Sequence, residues 1–170
     1  GHLRVHPMKD PNLGIDLKDL IDRLQMRGLD LPILLRFNGI LKDRLREIHD
    51  VFAQSMKDHD YKGKYICVYP IKVNQQRHVV EQIVNYGRVY GFGLEAGSKP
   101  EMLATVAMTD PDTPIICNGF KDAEFIEMAM LAQKMGRRVI PVVEKYTELA
   151  LILKYAEKVG VRPQIGFRIK

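Results

Sequence analysis

The chain contains no apolar run near the ~18 residues that a membrane span requires. Its opening, Gly1-His2-Leu3-Arg4-Val5-His6-Pro7, holds no apolar signal core. There are only two cysteines, Cys67 and Cys117, each inside an apolar run and neither in a CxxC or Cys/His spacing. That speaks against a metal site built on cysteine. Two thiols placed in strands point to a reducing compartment, read here as cytoplasmic, with a disulfide left open. The net charge is +5, but no run of Lys and Arg interleaves with aromatic residues. Nucleic acid is therefore not an expected partner. Low-complexity stretches and true repeats are also missing. Gly91-Phe92-Gly93 lacks the third glycine of a dinucleotide fingerprint and falls within a strand. No Ser/His/Asp arrangement can be drawn. His78 reads as a capping or surface residue with a general acid as the alternative. His49 and His59 read as surface residues, and His2 and His6 lie in the N-terminal arm.

What is present is a normal globular balance over 170 residues, 46% apolar and 28% charged, enough for one domain with a core. Five short apolar runs recur at Tyr65–Ile71, Tyr90–Leu94, Pro114–Cys117, Val139–Val143 and Gln164–Ile169, with starts about 25 residues apart. Segments of helical spacing separate them. Such alternation predicts βαβ units and a parallel sheet, with strands covered on both faces. Ile40-Leu41, Leu45, Ile48 and Val51-Phe52 form one helical stripe, and Leu149, Ile152-Leu153 and Ala156 another. Gly28, Gly87, Gly136 and Gly160 suit left-handed positions after helices. Ser98-Lys99-Pro100-Glu101 reads as a capping box, and Asp122 and Thr147 as N-caps. Upstream, a helix is predicted over about 16–27 and a sixth strand over Leu31–Phe37. Residues 1–15 read as an extended arm, part of a separate β-domain, and 16–170 as the N-terminal portion of a barrel. An ordinary eight-stranded barrel needs about 250 residues. The chain reaches roughly its fifth βα unit, so the sheet is either small and open or completed elsewhere.

In parallel α/β folds the working groups sit at the C-terminal ends of strands. Those ends carry Lys72-Val73-Asn74, Glu95, Asn118, Glu144 and Arg168. Lys72 emerges beside a packed strand, where desolvation would favour a neutral, nucleophilic amine able to form an imine with an aldehyde. The alternative is a lysine snorkelling at a strand end. Glu95 could orient an ammonium or a ring group, or form a structural ion pair. Arg168 could bind a carboxylate or phosphate in a bidentate way, or pair with Glu144 or Glu95. Asn74 and Asn118 could donate to a ligand, although Asn118 reads first as turn chemistry.

The octapeptide Tyr69-Pro70-Ile71-Lys72-Val73-Asn74-Gln75-Gln76 resembles the pyridoxal-lysine segment of the biosynthetic arginine decarboxylases. Gly91–Glu101 resembles that family's second barrel strand and the helix start after it. Pro114–Asp122 is similar to its third strand, Ile165–Lys170 to its fifth, and Leu31–Phe37 to its entry strand. The ornithine and diaminopimelate decarboxylases keep the lysine and a following asparagine but usually lack the Gln-Gln. The resemblance covers nearly all of the chain. It implies an alanine-racemase-like (β/α)8 barrel of the TIM type, a second β-domain, an active site completed across a dimer, and pyridoxal phosphate as cofactor, with Mg2+ as an associated ion. It implies conversion of L-arginine to agmatine and CO2, feeding polyamine synthesis. Lys72 matches the imine lysine, Glu95 an acidic position beside the cofactor, and Arg168 an arginine near it. Asn74 joins them as a cofactor-binding candidate. The glycine-rich phosphate loop and the acid that pairs with the pyridine nitrogen are expected beyond Lys170, so the 170 residues alone are expected to be inactive. The competing expectation is a non-catalytic short homologue that binds or regulates a decarboxylase.

Overall fold

A computed structural model describes residues 1–169, and Lys170, the last residue of the Ile165–Lys170 motif, lies outside the described residues. The parallel core runs through β3 (Val68–Pro70), β4 (Gly93–Ala96), β5 (Ile115–Cys117), β6 (Val139–Val143) and β7 (Gly166–Phe167). These strands pair in sequence order, every neighbour parallel, with Pro70 opposite Glu95, Ala96 opposite Cys117, Cys117 opposite Pro141 and Val143 opposite Phe167. Helices α3 (Arg77–Gly87), α4 (Lys99–Met108), α5 (Ala123–Lys134) and α6 (Tyr146–Val159) connect them. This is the strand–helix repeat of a (β/α)8 barrel over about five units.

Because side chains alternate across a strand, the sheet has two unlike faces. Ala96, Ile115, Cys117, Val139 and Val143 point to the helices and join Met102, Phe125, Ile126, Ala129, Met130 and Ile152 in one buried cluster. A second cluster packs Ile71 and Leu94 against Val80 and Ile83 of α3. Gly93, Glu95, Ile116 and Val142 belong to the other, concave face. Helices therefore cover one face only, and the strands read as continuous apolar runs because the inner face is apolar too.

The helix starts follow local chemistry. The Asp122 carboxylate accepts from the Phe125 N–H at 2.8 Å and opens α5. Ser98 Oγ accepts from Glu101 N, while the Glu101 carboxylate reaches back to Gly97 N at 2.7 Å. Thr147 is not a cap. Lys145 holds the N-cap position of α6, and the Glu148 carboxylate accepts from Lys145 N at 3.2 Å and Glu144 N at 2.8 Å. Gly28, Gly136 and Gly160 are left-handed, as expected, but Gly87 is not. A 3-10 turn over Arg88–Tyr90 continues from α3, and Gly91 takes the left-handed position instead (φ 71°). That turn delays β4, which begins at Gly93 rather than Tyr90.

Upstream, β1 (Arg4–Val5) and β2 (Ile15–Asp16) form a small antiparallel pair ahead of α1 (Leu17–Gln25) and α2 (Asn38–Asp58). The arm is tied to α2 by Lys9, whose ammonium lies 2.9 Å from the buried Asp43 carboxylate. The sixth strand predicted at Leu31–Phe37 does not form. Burial alternates from Ile33 to Phe37 as in a strand, but no neighbouring strand among the described residues supplies a ladder. Backbone groups without a ladder partner make no sheet. The α2 stripe is also less covered than its pattern implies. Leu45 is buried, whereas Ile40, Val51 and Phe52 are exposed.

Candidate functional site

All five core strands point the same way, so their C-terminal ends share one edge, where an open recess of about 750 Å³ lies. Its lining includes Lys72, Glu95, Glu101, Asn118, Glu144 and Arg168. Lys72 occupies a 3-10 turn (Ile71–Val73) that starts directly at the end of β3. Ile71 is buried in the α3 cluster and fixes the turn. The Lys72 side chain is two-thirds exposed (66%), with its Nζ 4.0 Å from Glu95 Oε1.

Glu95 is held by its neighbour. Its Oε2 accepts from Asn118 Nδ2 at 2.8 Å. Asn118 is thus a site residue that orients a carboxylate, which corrects its reading as turn chemistry. Glu144 makes the next link. Its Oε1 accepts from Gly119 N at 2.6 Å, and its Oε2 accepts from Arg168 Nη1 at 3.1 Å. The Gly119 hydrogen bond, helped by the Lys121 and Arg168 charges, holds the Glu144 carboxyl below the ordinary range, against the opposing effect of burial. The Arg168–Glu144 pair named in the sequence reading therefore forms, yet the Arg168 side chain keeps about half its surface free (52%).

Asn74 is not brought to the recess. Its Oδ1 accepts from Gln76 N at 3.1 Å and its carbonyl accepts from Tyr69 Oη, so it shapes the loop after Lys72. His78 is exposed on α3. His49 is half-buried, its ring 4.6 Å from that of Tyr90, and so is a packing residue rather than a surface one. Cys117 is buried behind the sheet, and burial pushes its thiol up to about 12. Both cysteines are free.

One residue escaped the sequence reading. Lys121 is almost fully buried (1% exposed), with its Nζ 3.4 Å from Glu148 Oε2 and 3.9 Å from Glu144 Oε1, and hydrogen-bonded to Gly119 O. The only local signal was its place in the loop after a strand.

The recess offers an amine on a strand-end turn, an anchored carboxylate within ion-pair reach, and a guanidinium with spare N–H groups. That donor set fits a carbonyl-bearing anionic cofactor. It is less suited to a metal, since Glu95, Glu101 and Glu144 each already hold protein partners. Among the described residues one group of three could gather round a cation, His2, Asp16 and Asp19, and it lies on the arm and α1. A second recess, about 650 Å³, lies at the opposite end of the strands. The Arg88–Asp110 ion pair (3.1 Å) and Tyr90 line it, and it contains none of the strand-end groups. No helix among the described residues is long and apolar enough to cross a membrane.

The family model for the pyridoxal-dependent decarboxylase pyridoxal binding domain matches residues 43–170. The biosynthetic arginine decarboxylase of Rhodopirellula baltica is 62% identical over 170 residues, covering 100% of this chain and 25% of that protein. That of Phocaeicola vulgatus is 52% identical over 171 residues, covering 100% and 27%. The crystal structure of the biosynthetic arginine decarboxylase SpeA from Campylobacter jejuni superposes with a TM-score of 0.82 at 35% identity, over 89% of this chain and 25% of that one. The chain spans about a quarter of the length of the curated relatives it matches.

Proposed function

The chain belongs to the pyridoxal-dependent decarboxylase family, and on that premise we propose that it forms the pyridoxal-phosphate-binding part of an arginine decarboxylase that converts L-arginine to agmatine and CO2. The observation that carries the reading is Lys72, placed on the turn that ends β3 with its amine open to the recess and 4.0 Å from Glu95. Relatives named biosynthetic arginine decarboxylase, at up to 62% identity, support the substrate.

Lys72 would hold the cofactor through its amine, which is open to the recess. Its flexible stem and exposed position let it withdraw and return without disturbing the core. Glu95, kept in one orientation by Asn118, would help to orient the cofactor. Arg168, steadied by Glu144, offers its remaining N–H groups to an anionic group of the cofactor or the substrate. Asn74 shapes the loop that presents Lys72. When bound, the cofactor supplies a conjugated electron sink for the electron pair left as CO2 departs.

Other parts of the same reading are a homo-oligomer, a cytoplasmic location, and a role in polyamine synthesis. Residues 1–15 fit a separate β-domain. What supports this is the β1–β2 pair and the exposure of Leu3 and Leu13, apolar side chains that suit a further packing surface. A magnesium requirement finds no support in the recess.

The test is borohydride reduction of the protein, expressed at its natural length with pyridoxal phosphate, followed by peptide mapping. The label should fall on Lys72, and Lys72→Ala should lose both the label and agmatine formation. Label on a different lysine, or undiminished agmatine formation by Lys72→Ala, would overturn the proposal. A natural polypeptide that bound cofactor but never released CO2 from arginine would favour the regulatory alternative.

A further inference from the structure

Lys121 lies outside the machinery described so far, and its surroundings are unusual for a lysine. It follows β5 by only four residues, at the edge that carries the recess, yet its side chain is sealed from solvent. A buried ammonium is tolerated only when paired and hydrogen-bonded. Here the pairing closes a ring. Lys121 Nζ donates to Gly119 O, and Gly119 N donates to Glu144 Oε1. Lys121 Nζ lies 3.4 Å from Glu148 Oε2, which in turn accepts from Glu144 N at 2.8 Å. Glu144 is thus gripped at its carboxylate through Gly119 and at its backbone through Glu148, with Lys121 behind both. The free oxygen of Glu144 then accepts from Arg168.

We propose that Lys121 is a positioning residue, whose buried ammonium fixes Glu144 in the orientation that presents Arg168 to the recess. The inference rests on the reading of Arg168 as a cofactor- or substrate-binding group. Lys121 itself is not among the residues that line the recess. It acts through two carboxylates, one in the loop after β6 and one on α6. Both oxygens of Glu144 are committed, one to Gly119 in the loop after β5 and one to Arg168 just after β7.

The experiment is a double-mutant cycle on the dissociation constant for pyridoxal phosphate, read from the visible absorption of the bound cofactor, in the protein at its natural length. Supporting groups of this kind typically alter ligand affinity by about 10-fold or more. Lys121→Met and Arg168→Gln should each weaken binding by about that factor, and the double variant should be no weaker than Arg168→Gln alone. Lys121→Met/Glu148→Gln removes the stranded carboxylate charge as well, and serves where Lys121→Met does not fold. It too should weaken binding in wild type and leave the Arg168→Gln background unchanged. If Arg168→Gln weakens binding while the folded Lys121 variants bind normally, the positioning role is refuted and the function stands. The same holds if the two effects simply multiply. If Arg168→Gln itself leaves binding unchanged, the assigned role of Arg168 fails and this inference fails with it.

Discussion

The close approach of β4 to β5 can be tested at Gly93. A Cβ added there would sit 2.2 Å from the Pro114 carbonyl oxygen, about 1.2 Å short of the 3.4 Å at which ordinary contact begins. The obstacle is backbone, so no side-chain rotation relieves it. The same carbonyl accepts from Leu94 N at 2.9 Å, and moving it by about 1 Å stretches that bond beyond hydrogen-bonding range. Overpacking costs about 1–3 kcal/mol, and the lost hydrogen bond about 1 kcal/mol more. Gly93→Ala should therefore destabilise by roughly 2–4 kcal/mol and lower the thermal midpoint by roughly 4–16 °C. Because Glu95 follows on the same strand and Asn118 lies just beyond β5, cofactor affinity should fall as well. Gly28→Ala is the control. It has a left-handed φ of 81° but open space around it, so it should cost only the conformational ~1–2 kcal/mol and leave cofactor affinity alone. Differential scanning calorimetry and cofactor titration of both variants check this. A Gly93→Ala protein that melts with the parent and binds cofactor equally would show that β4 and β5 do not approach as described.

Two further outcomes follow from the ionisable groups. The Glu144 carboxyl is held below the 4.5 of an ordinary glutamate, chiefly by the Gly119 hydrogen bond. A depressed folded-state value contributes stability above the unfolded value and loses it as pH falls through the folded one. The Gly119 amide resonance should accordingly titrate with a midpoint below 4.5, and a midpoint at or above it would remove the anchor assigned to Arg168. Cys117, buried and pushed up to about 12, should resist iodoacetamide at pH 8 until denaturant is added. Alkylation of Cys117 in the native protein, told apart from that of the half-buried Cys67 by peptide mapping, would contradict its place behind the sheet.

The parts legible in the sequence are those decided by neighbours in the chain. β6 forms over the run Val139–Val143 as expected, because a β-branched apolar run needs only a sheet to join. Asp122 caps α5 because its acceptor reaches an amide three residues on. The failures are the features decided across the fold. Leu31–Phe37 has a strand's alternation and no partner strand among the described residues. The start of β4 moved because Phe92 packs on Gly87, whose hypothetical Cβ would lie 2.7 Å from Phe92 Cβ, and the chain spends Arg88–Tyr90 on a turn to allow it. Asn118 reads as a turn residue until Glu95 is placed on the adjacent strand. Lys121 was invisible for the same reason, since its counter-charges come from the end of β6 and from α6. The place of Lys72 at a strand end was legible in the sequence, but the desolvation expected there is not seen, because the recess leaves its side chain 66% exposed.

The strand-end groups also explain how so many ionisable side chains share one edge without an obvious destabilising excess. Parallel strands in sequential order put each strand's last polar residue beside the loop of the next strand, so every group finds its partner one strand over. Lys72 meets Glu95, Glu95 meets Asn118, Gly119 meets Glu144, and Glu144 meets Arg168. The two carboxylates inside this series, Glu95 and Glu144, are engaged on both sides. The two end members, Lys72 and Arg168, are the ones left with exposed side chains and spare donors. Spare donor capacity is therefore concentrated at the flanks of the series, while its middle groups are held by hydrogen bonds. A cofactor taking hold of Lys72, as proposed, would find Glu95 already held by Asn118 and would owe little ordering cost for that carboxylate.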